Sequence, residues 1–114
     1  MGYDTATKTD TESLVPDELG GMWMLADELG SEQVGISVLE LEPGGEGKEH
    51  DEVETGQEEV YYVVDGSVEV ELTDADETVT LGADELVRID PDESRQIANR
   101  GDERAKLVLV GAPL

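Results

Sequence analysis

The chain has 114 residues, with 30 Asp and Glu against 7 Lys and Arg, a net charge of −23 and no cysteine. This length fits a single domain, and the lack of Cys excludes disulfides, thiolate metal sites and thiol catalysis. Nucleic acid and anionic lipid surfaces are excluded as partners, because both are held by Lys and Arg that neutralise phosphates.

Such charge suits either a disordered chain or a folded one with an acidic surface. Apolar residues make up 37% of the chain and fall into strand patterns, with 13 Gly near turns, so the folded reading holds. An acidic surface that is poor in lysine (Lys8, Lys48 and Lys106 only) fits concentrated salt, where a Debye length of about 3 Å at 1 M screens self-repulsion. No run approaches the roughly 18 to 20 apolar residues that span a bilayer, and Met1-Gly2-Tyr3-Asp4 is neither basic nor apolar. The expectation is a soluble protein of a salt-accumulating cytoplasm.

In chain order, residues 1–19 are polar and contain Pro16, which predicts a loose N-terminal arm. Residues 20–114 form the domain. Met22 to Leu25 is a short apolar run, and Val34, Ile36 and Val38 alternate on one face of a predicted strand that ends at Pro43-Gly44-Gly45. Asp65-Gly66 between Glu59–Val64 and Ser67–Leu72 is a hairpin signal, since Gly accepts the positive φ of a type I′ turn. Further strands are expected over 77–81, 85–89, 94–98 and 105–110. No segment has helical periodicity beyond a turn near Pro16 to Leu19, and the repeat of Ala-Asp-Glu-Leu at 26–29 and 83–86 is too short to be an internal repeat. Short strands at this spacing predict an all-β sandwich or barrel.

Gly44, five residues, His50-Asp51-Glu52, a spacer, Glu59, six residues and Gly66 resemble the first motif of the cupins. It departs from the family in having Glu52 at the second His position and a longer spacer, Val53 to Glu58. Gly82, the turn at Asp90-Pro91-Asp92 and Asn99 resemble the second motif, with Arg95 at its His position. The resemblance covers about residues 34 to 111, and is closest to single-domain cupins of haloarchaea. It implies an all-β double-stranded β-helix, or jelly-roll, barrel. It also implies that His50, Glu52, Glu59 and Arg95 stand where the family carries metal ligands. Independently, His50 and Glu52 are two apart and leave the same face of an extended strand, and Glu59 opens the next strand.

Three readings of these residues stay open. A divalent metal, manganese or iron, could sit on His50, Glu52 and Glu59, with Gln57, Glu58 or water completing a hard oxygen site. Against it, Arg95 puts a permanent positive charge where a cation would lie. Alternatively, Arg95 pairs with Glu52 or Glu59 and His50 caps an internal polar network. A strand register wrong by one residue would instead turn His50 or Arg95 to solvent. Tyr61 and Trp23 are pocket or core residues, and no Ser-His-Asp arrangement is available with His50 as the single histidine.

The resulting expectation is a pocket that binds a small polar or anionic molecule through His50, Glu52, Gln57, Glu59, Tyr61 and Arg95. The alternative is a metal-dependent cupin enzyme of isomerase, decarboxylase or dioxygenase type with an unusual ligand set. The protein is expected to pair as a homodimer, with the N-terminal arm free to cross over.

Overall fold

A computed structural model describes residues 2–114. Eight strands form two antiparallel sheets: β1 (Gly20–Met24), β2 (Gly35–Leu41), β3 (Glu58–Asp65), β4 (Val68–Leu72), β5 (Glu77–Leu81), β6 (Leu86–Ile89), β7 (Arg95–Ala98) and β8 (Ala105–Ala112). One sheet has the order β1-β2-β8-β3-β6 and the other β5-β4-β7. The expected all-β double-stranded β-helix is the observed fold. Among the described residues no helix is long and apolar enough to cross a membrane.

The core lies between the sheets. Register puts Leu39 opposite Leu107 and Val63 opposite Leu107 in the larger sheet, and Val70 opposite both Val79 and Ile97 in the smaller one. These side chains, with Leu41, Tyr61, Val68, Leu81, Ile89 and Ala105, form one apolar cluster. The alternation in Val68–Leu72 is realised: Val68 and Val70 are buried while Glu71 is exposed, as a half-wet sheet requires. Asn99 is fully buried and ties the sheet ends together. Its side-chain amide donates to the carbonyls of Leu41 at 2.9 Å and Glu103 at 2.8 Å, and its Oδ1 accepts from the Gly101 amide at 3.0 Å.

Two local expectations are corrected and one is completed. Asp65-Gly66 is not a hairpin: β3 pairs with β6 and β8, whereas β4 pairs with β5 and β7. A type I′ turn needs positive φ at two successive residues, and of these two only Gly66 has it (φ 78°). The register of β3 shifts between Val63 and Asp65, and a bulge of this kind bends a strand out of its sheet. Gly66 then turns the corner where a Cβ would come within 2.9 Å of Ala105 Cα and the Arg104 carbonyl.

Second, Ile36 and Val38 share one face of β2, as the alternation requires, and it is the outer one: the inward face carries Ser37, Leu39 and Leu41, and Val34, just before the strand, is exposed. Alternation alone does not say which face is covered, and here the larger residues further along the strand decide it. Third, Ala26–Leu29 forms one helical turn, α1. Gly30, in the left-handed region, closes it with a bond from its amide to the Asp27 carbonyl, a common helix stop. The same tetrapeptide at 83–86 instead forms a turn running into β6, with Asp84 at φ 66°. Flanking contacts override such weak local preference.

The N-terminal arm is docked on its own chain. The Leu14 amide donates to the Met22 carbonyl at 2.8 Å and the Met22 amide to Ser13 Oγ at 3.0 Å. Lys8 pairs with Glu40 at 2.7 Å and lies 4.2 Å from the centroid of the Trp23 ring. The free edge of β1 is thereby partly covered, a protection exposed edges need.

Candidate functional site

His50 lies in the loop before β3, not on a strand. It is anchored by a two-residue bridge to the first residue of β7: the His50 amide donates to the Arg95 carbonyl and the Arg95 amide to the His50 carbonyl, both at 2.9 Å. The ring nitrogen Nδ1 is 3.1 Å from the Lys48 carbonyl, so Nδ1 carries hydrogen and Nε2 is turned to the carboxylates. Nε2 stands 3.4 Å from Glu52 and 3.7 Å from Glu59. The Glu59 carboxylate and the Lys48 carbonyl raise the His50 pKa above its ordinary value, opposed by burial.

The long spacer has a structural use. The Gly56 amide closes a turn on the Glu52 carbonyl at 2.8 Å, and Thr55 Oγ1 donates to Glu52 Oε1 at 2.9 Å. The residues that lengthen the motif thus hold the carboxylate that replaces its second histidine. Glu58 points to the opposite face of β3, where it pairs with Arg88 at 3.3 Å, and takes no part in the cluster.

Glu59 is held from behind. Arg95 has no exposed side-chain surface, and its Nη2 lies 3.6 Å from Glu59 Oε1. The same nitrogen donates to the Asp90 carbonyl at 3.3 Å, while Nε and Nη1 have no partner among the described residues. Tyr61, also buried, donates its hydroxyl to Glu59 Oε1 at 3.2 Å. Burial pushes the Glu59 carboxyl up, but the His50 interaction and the Arg95 charge outweigh it and leave the pKa lowered. Burial, and then the Glu59 charge, push the Tyr61 phenol up, so it remains a donor.

The cluster opens into a cavity of about 230 Å³. His50, Glu52, Gln57 and Glu59 reach it, as does Ser37 on the inward face of β2; Met22, Met24, Leu109 and Leu114 form apolar wall. Arg95 and Tyr61, expected as ligand contacts, are not on its surface: both inner positions are sealed by core packing, so they act on a ligand only through Glu59. The apolar wall went unrecognised in the sequence because its residues come from β1, β8 and the C-terminal end, which nothing local links.

One ligand atom from each of His50, Glu52 and Glu59 lies within 4.8 Å of the others. One imidazole and two carboxylates suit a hard dication such as manganese better than metals that favour several imidazoles. The fit is incomplete, because the Arg95 guanidinium already stands against one of the carboxylates and offsets its charge.

A model of the family described as "Cupin domain" matches residues 37–111. A cupin protein from Bacteroides fragilis is similar over 99% of this chain and 86% of its own, at 21% identity and a TM-score of 0.79. A predicted oxalate decarboxylase from Thermotoga maritima gives 18% identity, 97% and 100% coverage, and a TM-score of 0.77. A polyketide cyclase from Streptomyces resistomycificus gives 20% identity, 96% and 78% coverage, and a TM-score of 0.77. No curated protein matches. Likeness at these identities carries the fold and not the activity, whereas the family match spans most of the barrel and includes both motifs: the chain belongs to the cupin family.

Proposed function

We propose that this cupin is a small-molecule-binding protein of a salt-rich cytoplasm, which holds a small polar molecule in its cavity against His50, Glu52, Gln57 and Glu59. The observation that carries this reading is the sealed Arg95 behind Glu59: it supplies positive charge within the protein, where a family metal would otherwise balance the carboxylates. Protein purified in concentrated KCl without chelators is expected to retain a small molecule in native mass spectrometry and to carry no stoichiometric transition metal by elemental analysis. Stoichiometric metal lost on mutation of His50 and Glu59 would overturn the reading.

The second reading, a metal-dependent cupin enzyme, is favoured by the closeness of the three donor atoms. Arg95→His separates the two. It removes the competing charge and restores an imidazole, so the variant is expected to take up manganese or iron at least about tenfold more tightly than wild type, or about 1.4 kcal/mol. Equal affinities in the two proteins would remove the competition between guanidinium and metal on which the first reading depends.

The homodimer belongs to the same proposal, with the outer face of the five-stranded sheet as its interface. By register, Trp23, Val38, Val60, Tyr62, Val108 and Val110 share that face. Glu40 and Glu58 lie on the same face, but Glu40 is paired with Lys8 and Arg104 and Glu58 with Arg88, so it is the face on which two copies of a −23 chain meet with little unpaired negative charge. Light scattering in concentrated KCl is expected to give twice the chain mass, and Val108→Lys to give a monomer. A monomeric wild type would refute the pairing.

A further inference from the structure

The polar end of the cavity is acidic. Two carboxylates reach it, which when ionised only accept hydrogen bonds, together with the His50 imidazole, the Gln57 amide and the Ser37 hydroxyl, which can donate as well as accept. The guanidinium that would attract an anion has no exposed surface. Arg95 offsets the Glu59 charge from behind but does not reach Glu52, so the fixed charge left for a ligand at the polar end is negative: a dication would overshoot it, a monocation balances it, and an anion is repelled.

The rest of the cavity is apolar. Met22 and Leu109 pack against the core, while Met24 and Leu114 stand at the opening with more than half of their surface exposed. The room between them depends on glycine. Gly35 lies opposite Gly111 in the β2–β8 register, and Gly111 lies opposite Glu59 in the β3–β8 register. A Cβ at Gly111 would stand 3.0 Å from Gln57 Oε1 and 3.7 Å from Glu59 Cγ, crowding the polar end without altering its charge.

We infer that the ligand is a small organic cation, an ammonium group on an apolar body, with the head donating hydrogen bonds to Glu52 and Glu59 and the body lying along Met22, Met24, Leu109 and Leu114. This rests on the ligand-binding reading above and fixes the sign of the ligand's charge. Thr55 and Tyr61 each donate one hydrogen bond, to Glu52 and Glu59 respectively; a carboxylate accepts more than one, so an ammonium head has acceptor sites left to fill, and the unbranched thioethers of the methionines adapt to an irregular apolar body.

The test is calorimetric titration of the intact protein in about 1 M KCl, where non-specific attraction is screened, with hexylammonium, hexanol and hexanoate as probes of equal chain length. Hexylammonium is expected to bind at least about tenfold more tightly than hexanol, and hexanoate not to bind. Glu52→Gln keeps the acceptor for Thr55 but loses the charge, and is expected to weaken hexylammonium about tenfold while leaving hexanol unchanged. Gly111→Ala is expected to weaken hexylammonium and hexanol alike, because it narrows the cavity itself. Preferred binding of hexanoate or hexanol that His50→Ala weakens would overturn the cation and leave the ligand-binding reading standing. Hexylammonium affinity unmoved by Gly111→Ala would mean binding outside the cavity and would also overturn the inference. Binding of none of the three probes would overturn both.

Discussion

Arg95→Ala is expected to lower stability by about 3–5 kcal/mol, the cost typical of removing one member of a buried ion pair. In a domain of this size that corresponds to a fall in Tm of at least about 10 °C. Three losses act together. Glu59, four-fifths covered, loses the charge that faces it at 3.6 Å; the Asp90 carbonyl loses a donor; and a side chain with no exposed surface leaves a void in the core. His50 offsets part of the first loss, since its ring also faces Glu59. The double variant Arg95→Met with Glu59→Met removes both charges and keeps the volume, so it should recover most of the stability, as paired apolar replacement of buried ions does. Urea denaturation followed by circular dichroism measures both. A single variant within about 1 kcal/mol of wild type would show that the pair is not a structural element of the barrel.

How much of this was legible in the sequence depends on the range of the interaction concerned. The resemblance to the two cupin motifs marked His50, Glu52, Glu59 and Arg95 in spite of the longer spacer, because the residues around them keep the motif order, although His50 and Glu52 lie in a loop and not on a strand. Strand positions over 58–72 and 77–110 were equally legible, since alternation and turn residues are local signals. The partner of a strand is not local. Asp65-Gly66 has the residues of a hairpin, yet β3 and β4 belong to different sheets, and only the bulge at the end of β3 and the close approach of Ala105 to Gly66 decide it.

Depth is not local either. Arg95 and Glu59 sit at equivalent motif positions in the sequence. Only the packed barrel separates a carboxylate that reaches the cavity from a guanidinium that does not. The apolar half of the cavity left no trace in any one segment, because it is assembled from the first strand, the last strand and the C-terminal residue.

Raising KCl from about 0.1 M to about 1 M is expected to raise Tm by about 10 °C or more, because the Debye length falls from about 10 Å to about 3 Å over that range. Two opposed effects are screened together. Among the described residues, Lys8, Arg88, Arg95, Arg100 and Arg104 form ion pairs, with Glu40, Glu42, Glu46, Glu58, Glu59, Glu69 and Asp90 as their acidic partners. Salt weakens the exposed members of this set, but such pairs contribute only about 0–1 kcal/mol each. Among the described residues, the other acidic side chains of the thirty form no ion pair with a Lys or Arg. A pair of them 10 Å apart in water repels by about 0.4 kcal/mol before screening, and folding multiplies such pairs over one small surface. Repulsion is therefore the larger of the two, and its removal sets the sign. Scanning calorimetry across that KCl series decides the matter: a Tm that stays flat or falls would mean that the ion pairs outweigh the repulsion and that the acidic surface is not an adaptation to salt.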